Sequence, residues 1–520
     1  MRPKTALENY FSNFRNNIIG NQQTFESPLG QKEIIYADWT ASGRAYRPIE
    51  ECIQKEIMPF IANTHTTTTI TGTLMSEAYE KAKAIIKKHV HANSDDILIF
   101  CGSGMTAAVN KLQRLLGLRA PERMMDYIKK DAASLQIDEL LRPVVFVTHM
   151  EHHSNQVSWL ETIATVEIIN ADENGNVNLT HLGSLLEQFK HRKNKIAAIT
   201  ACSNVTGMQT PYHEIAKMMH DCGGLCFVDF ACSAPYVEIN MHPAEKGGHL
   251  DAIYFSPHKF LGGTGTPGVL IFNKKNYKNI IPDHPGGGTV VYSNPWKVRD
   301  YISTIEQRED GGTPPFLQGI KAAMCVRLKD EMGVENMLKR EKEILQVIFD
   351  RFGKMEKVQV LEGDIKNRLG VVSFIVQGAH YNLVTKILND RFGIQVRGGC
   401  SCAGTYGHML LHVNEARSYK ILDSIRAGDL MRKPGWVRLS VHPTMTNNEI
   451  DYIMDAVEST ASHFGEWGED YIYDRASNEY TFKGFEDDVQ SKIADWFDVG
   501  GGNNANRLIF ENVGAFQKAY

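Results

Sequence analysis

The stretches Phe227-Val228-Asp229-Phe230 and Ser256-Pro257-His258-Lys259 carry the strongest fold signal in this chain of 520 residues. In each stretch an ionisable side chain stands where a short apolar run stops. The run Ala252-Ile253-Tyr254-Phe255 directly precedes the second stretch and predicts a buried strand. We therefore expect the side chains of Asp229 and Lys259 to lie at the ends of neighbouring strands.

A lysine and an aspartate placed in this way fit the chemistry of pyridoxal phosphate (PLP). Lysine forms a Schiff base with the aldehyde of this cofactor, and aspartate keeps its pyridine nitrogen protonated so that the ring accepts electrons. Lys259 and Asp229 are the candidates for these two roles. Taken alone, the same two residues also fit a surface lysine and an unrelated strand-end aspartate, so the interpretation depends on further motifs.

The composition predicts an ordinary globular enzyme. Hydrophobic residues make up 42% and charged residues 22% of the chain. The formal net charge of −5 does not favour binding to nucleic acid or to an anionic membrane surface. Nine cysteines are too sparse for a disulfide framework, and their spacing matches no zinc site, so no metal is expected. No stretch has the pattern of a signal peptide or a membrane span, which predicts a cytoplasmic protein.

Strand and helix patterns alternate from about residue 78 to residue 300. This alternation predicts a mainly parallel sheet of about seven strands with helices on both faces. The predicted strands are short apolar runs at residues 96–100, 143–147, 165–169, 195–200, 225–228, 252–255 and 267–272. In such sheets ligands bind at the carboxyl ends of the strands, and the chemically suggestive residues follow the strands.

A second, smaller α/β domain is predicted after the break at Asp310-Gly311-Gly312-Thr313-Pro314. A long helical stretch at 316–352, interrupted near Gly333, leads into it. The predicted organisation has four parts: residues 1–35, a segment packing with the small domain; 36–310, the large cofactor-binding domain; 311–465, the small domain with its linking helix; and 466–520, an extension of unknown role.

Two motifs of the large domain add candidates for the cofactor site. Gly102-Ser103-Gly104-Met105-Thr106 joins a strand to a helix, where glycines admit an anion and Ser103 or Thr106 can donate to phosphate oxygens. Glu151-His152-His153-Ser154-Asn155 follows a strand and offers an imidazole to stack on a pyridine ring. Simple turn residues and polar loop histidines are the alternatives.

Three further motifs point to substrate binding and to a nucleophile. Asn204, in Ser203-Asn204-Val205-Thr206-Gly207, could hydrogen-bond a ring hydroxyl, although this is also an ordinary turn. Arg397-Gly398-Gly399-Cys400-Ser401-Cys402 presents two thiols on a glycine-flexible loop, and buried cysteines filling a turn are the alternative. Arg438 lies inside a predicted strand, where a guanidinium needs a carboxylate.

Together these motifs resemble the class V aminotransferase fold, in its cysteine desulfurase and selenocysteine lyase branch. The resemblance runs from about Tyr36 to Phe464, and nine blocks stand in family order. It implies a PLP-dependent enzyme of the fold type I transferases that acts as a homodimer, with active sites at the subunit interface.

The resemblance also implies a role for each matching residue. Lys259 is the Schiff-base lysine, Asp229 the pyridinium partner and His153 the stacking imidazole, with catalytic roles for Lys259, His153 and Cys402. The other implied ligands are Asn204 for the ring hydroxyl or the substrate carboxylate; Ser103, Thr106, Ser256 and His258 for the phosphate; Thr313 and Gly288 for the phosphate of the other subunit; and Arg438 and Arg397 for the substrate. Cys402, five residues after Arg397, has the spacing of the thiol that takes sulfur from bound cysteine.

Two residues depart from the family pattern. Cys232 stands where glutamine is frequent, and Cys400 stands where histidine is common in the desulfurases. The predicted activity is conversion of L-cysteine, or a related sulfur or selenium amino acid, to L-alanine with a persulfide on Cys402 and a sulfur-acceptor protein as partner. The alternatives are an aminotransferase, a C–S lyase or a racemase on the same scaffold, and a catalytically silent scaffold.

Overall fold

A computed structural model of the chain describes residues 2–64, 66–124 and 137–497. The sequence also predicts a loop or helical insertion at residues 119–142, and part of this segment lies outside the described ranges. The C-terminal extension beyond residue 497 lies outside them as well. The helices are α1 Ala6–Asn16, α2 Arg47–Cys52, α3 Ile70–His89, α4 Gly104–Leu115, α5 His153–Leu160, α6 Leu179–Gln188, α7 Tyr212–Asp221, α8 Ile305–Glu309, α9 Phe316–Met332, α10 Val334–Phe352, α11 Tyr381–Phe392, α12 Gly404–Leu410, α13 Glu415–Arg426, α14 Asn447–Gly468 and α15 Val489–Phe497.

The strands are mostly short. They are β1 Thr24–Ser27, β2 Gly30–Glu33, β3 Ile35–Tyr36, β4 Asp96–Cys101, β5 Val144–Thr148, β6 Thr165–Ile169, β7 Lys195–Thr200, β8 Leu225–Asp229, β9 Ala252–Phe255, β10 Gly268–Asn273, β11 Val290–Ser293, β12 Arg299–Tyr301, β13 Val358–Val360, β14 Val371–Val376, β15 Ile394–Gln395, β16 Arg397–Gly399, β17 Trp436–Ser440, β18 Tyr471–Asp474 and β19 Glu479–Phe482.

The main sheet confirms the predicted architecture. Within the described ranges it has seven strands in the order β4-β10-β9-β8-β7-β5-β6, and β10 alone runs antiparallel to its neighbours. Its central strands are buried along their whole length, because helices cover both faces with separate apolar clusters. The carboxyl ends of six strands therefore meet at one edge.

A second sheet is antiparallel, in the order β13-β14-β17-β16, and packs against α10 and α11, which in turn contact α14. The N-terminal segment joins this part of the molecule. β3 pairs in parallel with β15, and Arg2 and Arg15 form ion pairs with Asp451 and Glu449 on α14. From Tyr36 onward the chain follows the second sheet, where Asp38 forms an isolated parallel bridge with Ser440 of β17. The chain then reaches the turn after β9, where the amide of Gly43 donates to the carbonyl of His258.

The described part of the C-terminal extension ends in a hairpin and a helix. Strands β18 and β19 pair antiparallel, and Asn478 of their turn hydrogen-bonds the Tyr381 hydroxyl and the Asn382 side chain on α11. Within the described ranges, none of the helices combines the length and the apolar character needed to cross a bilayer.

Candidate active site

Lys259 and Asp229 line one cavity at the carboxyl edge of the main sheet. Asp229 is the last residue of β8, and Lys259 ends a short 3₁₀ turn directly after β9, so the parallel register of these strands brings the two together. Burial lowers the pKa of the Lys259 amine, which favours its neutral, nucleophilic form. Burial also raises the pKa of Asp229 to about 6, although the amide of Ala231 donates to its Oδ1 at 2.8 Å.

The turn from β4 to α4 forms a cradle in the same cavity. Gly104 has a φ of +69°, and a Cβ at that position would lie 2.8 Å from Cε1 of His258 and 2.9 Å from Oγ of Ser256. The amide of Met105 donates to Ser256 Oγ at 2.8 Å. Ser103 and Thr106 also line the cavity and are exposed to it. This concave set of donors at a helix N-terminus suits a phosphate group.

The structure places the two histidines of this motif differently from each other. His152, and not His153, lines the cavity. Its Nδ1 accepts a hydrogen bond from the amide of Ser154 at 3.1 Å, so the neutral ring carries its proton on Nε2. Burial, followed by the nearby charge of Lys259, lowers the pKa of His152 to about 3. His153 begins α5 and turns its ring toward the loop that carries Cys402, which corrects the predicted stacking position.

His153 and Asn204 form hydrogen bonds that hold the loop of residues 400–403 and its junction with α12. We call this loop the thiol loop. The His153 amide donates to the carbonyl of Cys402 at 2.7 Å, and His153 Nε2 accepts from the amide of Gly404 at 2.8 Å. Nδ2 of Asn204 donates to the Ser401 carbonyl at 2.7 Å. Ser401 and Cys402 have φ values of +51° and +56°, which non-glycine residues rarely adopt, so these contacts maintain a strained turn.

The two cysteines of this loop lie in different surroundings. Cys402 is exposed and lines the cavity with Lys259. Cys400 is half-buried, packs against the hydrophobic core and does not line the cavity. Cys232, which stands where the family often has glutamine, is buried and does line it. Of the two loop thiols, Cys402 is therefore the accessible one.

Asp38 joins the two arginines that were predicted to bind substrate. Its Oδ1 accepts from Arg438 at 2.6 Å and its Oδ2 from Nε of Arg397 at 2.9 Å. Arg438 is buried and also donates to the Asn204 carbonyl at 3.2 Å, whereas the Arg397 side chain is 49% exposed. The sequence predicted no role for Asp38, and only the fold shows that it contacts both guanidinium groups.

Glu151 is a further residue for which the sequence predicted no role. It is buried beneath the cavity, and its Oε1 accepts from the Thr148 hydroxyl and from the amide of Thr200, while Oε2 accepts from Asn155. Burial raises the pKa of Glu151 to about 7. This carboxyl ties the loops after β5 and β7 together. The only sign of this role in the sequence was the position of Glu151 in the Glu-His-His-Ser-Asn motif. That motif alone does not show that the carboxyl is buried.

Thr313 and Gly288 do not join the other predicted ligands. Thr313 is exposed, and neither residue lines the cavity of Lys259. The segment before Thr313 is fixed by two buried ion pairs, Lys83 with Asp310 at 2.9 Å and Lys111 with Glu309 at 2.8 Å. The amide of Gly312 donates to the Gly287 carbonyl, which keeps the two predicted ligands close to each other.

The residues of the cavity fit PLP. The Gly104 cradle leaves open the space that a side chain would fill, with hydroxyl and imidazole donors around it. An amine lies in the same cavity as a buried carboxylate, which matches the two requirements of the cofactor, an aldehyde partner and a counter-ion for a protonated ring. The residues of the site and the fold that positions them are therefore those of a PLP-dependent enzyme.

The family model of class-V aminotransferases matches residues 139–453. The chain belongs to this family, whose members are PLP-dependent enzymes. Among curated relatives, the chain is 28% identical over 454 residues to a probable cysteine desulfurase of Halalkalibacterium halodurans, covering 86% of this chain and 96% of the relative. A probable cysteine desulfurase of Staphylococcus aureus is 26% identical over 396 residues, covering 75% and 87%.

Solved structures share the fold. A cysteine desulfurase from Thermococcus onnurineus NA1 superposes with a TM-score of 0.67 at 22% identity, covering 86% of this chain and 98% of that one. The cysteine desulfurase CsdA from Escherichia coli, with an S-sulfonic acid, superposes with a TM-score of 0.65 at 18% identity, covering 87% and 98%. These similarities confirm the predicted fold class.

Proposed function

We propose that the protein is a cysteine desulfurase that converts L-cysteine, or a related sulfur or selenium amino acid, to L-alanine and leaves a persulfide on Cys402. The observation that carries this proposal is the exposed thiol of Cys402 in the same cavity as Lys259 and Asp229. A transaminase needs the amine and the carboxylate but has no use for a nucleophilic thiol beside them.

The roles of the residues follow from their surroundings. PLP, when bound, supplies an electron sink for the substrate Cα. The neutral amine of Lys259 removes the Cα proton and returns a proton to the product. Asp229 holds the positive charge of the ring nitrogen, which offsets the burial of its own carboxylate. His152, which lines the cavity, would take the stacking role predicted for His153.

The sulfur step involves the thiol of Cys402 and the substrate. The thiolate of Cys402 attacks the sulfur of bound cysteine, a sulfur–sulfur bond forms, and the substrate Cβ–S bond breaks. The electron pair of that bond stays with the amino-acid fragment, which takes up a proton at Cβ and leaves as alanine. Enzyme thiol plus cysteine thus gives enzyme persulfide plus alanine, with no external oxidant.

Arg397 is the better placed of the two arginines to meet the substrate carboxylate. Arg438 donates to both Asp38 and Asn204, whereas Arg397 contacts Asp38 through Nε and is half-exposed at the cavity. Arg438 and Asn204 then support the carboxylate site from behind. A bidentate guanidinium contact gives the orientation that proton removal at Cα requires.

We further propose a homodimer, a two-domain organisation with residues 36–310 and 311–465, and a cytoplasmic location. The exposed Thr313 and the neighbouring Gly288 lie outside their own cavity, as residues that serve the other subunit would. The hairpin β11–β12 exposes apolar side chains, with Trp296 80% and Val291 70% accessible, which favours burial against a second copy.

The proposed cytoplasmic location is supported by the cysteines. All nine cysteines are free, which suits a reducing compartment.

A pair of matched variants tests the proposal. Cys402→Ala in the PLP-loaded enzyme should reduce alanine formation from L-cysteine by about a thousandfold, because an essential nucleophile is lost. Cys400→Ala should retain alanine formation within about twofold, since that thiol faces the core. Unchanged alanine formation in Cys402→Ala would contradict the proposal, and pyruvate with sulfide, or the keto acid of cysteine, formed in place of alanine would favour a C–S lyase or an aminotransferase on the same scaffold.

A further inference from the structure

A groove beside the thiol loop combines an apolar floor with a basic rim. Its floor includes Phe374, Leu411, Ile421 and Trp436, and Met431 stands at its edge with 43% of its surface exposed. We call it the basic groove because four cationic residues line it: Arg417, Lys420, Arg432 and Lys433. Arg417 and Lys420 come from α13, and the other two from the loop that precedes β17.

The positive charge of this groove is not neutralised locally. Among the residues that the structure describes, no carboxylate lines the groove, and none lies within ion-pair distance of the four cationic side chains. The nearest acids in sequence do not line the groove: Asp429 pairs with Arg475 at 3.3 Å and accepts from the amide of Met431 at 3.0 Å, and Glu415 and Asp423 belong to α13. Four like charges around an apolar floor produce a field that favours an anionic partner.

The groove is directly connected to the thiol loop. Trp436 pairs in register with Gly399 of β16, one residue before Cys400. On its other side the Trp436 ring lies 3.2 Å from the position of a Cβ at Gly407, in the helix α12 that begins two residues after Cys402. A molecule bound in the groove therefore lies beside the segments on both sides of the loop that carries Cys402.

We propose that the basic groove docks an acidic segment of the protein that accepts sulfur from Cys402, with an apolar side chain of that segment on the groove floor. This inference rests on the proposed desulfurase function and adds the chemistry of the partner. Complementary charges raise the rate of association and fix the orientation of the partner, while the apolar contact supplies the affinity. The persulfide sulfur then passes to the partner thiol by thiol exchange, which restores the thiol of Cys402.

Short peptides provide the test. The probes are three N-acetylated peptides of equal length with one leucine and one cysteine, whose remaining residues are all aspartate, all lysine or all serine. Persulfide-loaded holoenzyme should transfer sulfur to the aspartate peptide about tenfold faster than to the lysine peptide, with the serine peptide between them. The difference should shrink in high salt, because mobile ions screen exposed charges.

Charge reversal locates the effect. Arg432→Glu combined with Lys433→Glu should abolish the preference for the aspartate peptide but leave transfer to dithiothreitol, which is uncharged, unchanged. The control Lys246→Glu combined with Lys278→Glu changes the net charge equally at exposed positions outside the groove, and should keep the preference. Equal rates with the aspartate and lysine peptides, or equal losses in both double variants, would overturn the proposal.

A binding arm separates this inference from the function on which it rests. Fluorescence anisotropy with an aspartate peptide that carries serine in place of cysteine measures docking without turnover. Binding that is lost in the Arg432→Glu, Lys433→Glu variant supports the groove even if no alanine forms, in which case the desulfurase assignment alone fails. Alanine formation without such binding overturns the groove proposal alone.

Discussion

The burial of Asp229 has a consequence for stability, because among the described residues it forms no ion pair and the nearby amine of Lys259 offsets only part of the effect of burial. Burial raises its pKa from 3.8 to about 6, so the folded protein without cofactor holds a proton there that the unfolded chain releases. Between these two pH values the native state binds more protons, and its stability falls as the pH rises. The raised pKa corresponds to about 3 kcal/mol at neutral pH.

Asp229→Asn should therefore stabilise the cofactor-free protein at pH 7 by about 3 kcal/mol, and this gain should vanish below pH 4. The same variant should retain PLP poorly, because an amide cannot balance a protonated ring nitrogen. Urea unfolding at both pH values measures the first effect, and cofactor retention on dialysis measures the second. Asp423→Asn on exposed α13 is the control, and a gain of equal size at pH 4 and pH 7 would refute the assignment.

At the residue scale the sequence predicted the chemistry better than the orientation of side chains. Lys259, Asp229, Ser256 and His258 line the cavity because residues that follow parallel strands share one edge, and the loop after β16 of the second sheet brings Cys402 to the same cavity. The choice between His152 and His153 depends on which residue caps α5, a matter of one helical position. Asp38 could not be given a role from sequence, since its two partners lie 359 and 400 residues away.

At the scale of elements, the turn into α4 depends on the absence of a side chain at Gly104. Gly104→Ala would combine a strained φ of +69° with contacts under 3 Å to His258 and Ser256. Gly117, at the other end of α4, is a matched control, because it has the same φ and nothing within 4 Å of its Cβ position. Both substitutions should lower stability by about 1 kcal/mol through backbone strain.

Only Gly104→Ala should weaken PLP binding, by about tenfold or more, because only there does the new methyl group displace the cradle donors. Equilibrium titration with PLP of the two purified apoproteins measures the difference. Equal PLP affinity in the two variants would show that the cradle at Gly104 does not hold the phosphate.

The thiol loop is an element held by contacts rather than by its own conformational preference. His153→Leu removes the acceptor for the Gly404 amide, and His153→Gln keeps an acceptor at similar reach. We expect kcat for alanine formation to fall about tenfold in the leucine variant and to recover largely in the glutamine variant, with KM unchanged. The rate at which iodoacetamide alkylates Cys402 should also change more in the leucine variant than in the glutamine variant. This rate is a readout that does not depend on turnover.

Equal kinetics and equal alkylation rates in the leucine and glutamine variants would contradict a positioning role for His153. A larger effect on KM than on kcat would instead indicate that the ring contacts substrate directly.

Several strands of the main sheet were predictable, whereas the hairpins on the surface were not. β6, β7 and β9 have the predicted bounds, because each is a short apolar run that lies between helical patterns. The sequence also predicts one strand at 394–397, but the structure has two strands there, β15 and β16, which belong to different sheets. The hairpins β11–β12 and β18–β19 alternate too weakly in polarity to be recognised, since one of their faces meets solvent in a single chain.

At the scale of the whole molecule, the proposed homodimer predicts that the exposed hairpin β11–β12 links assembly to cofactor binding. Trp296→Lys places a charge on the most exposed apolar side chain of this hairpin and should shift the proposed homodimer toward monomers. PLP affinity should fall with it, because Thr313 would no longer reach the neighbouring site. Light scattering and PLP titration at matched concentrations check both effects, and Trp496→Lys, at a comparably exposed tryptophan of α15, is the control.

A dimer that withstands Trp296→Lys with full PLP affinity would exclude this hairpin from the interface. Loss of the dimer with PLP affinity retained would show that each site is complete within one chain.

The most direct test of the account is the mass of the peptide that contains Cys402 after PLP-loaded enzyme has turned over L-cysteine without an acceptor thiol. We predict the added mass of one sulfur atom on Cys402, one alanine formed per added sulfur, and no addition on Cys400 or Cys232. Alanine or pyruvate formed in many turnovers with Cys402 unmodified would contradict the central claim that this thiol takes the sulfur.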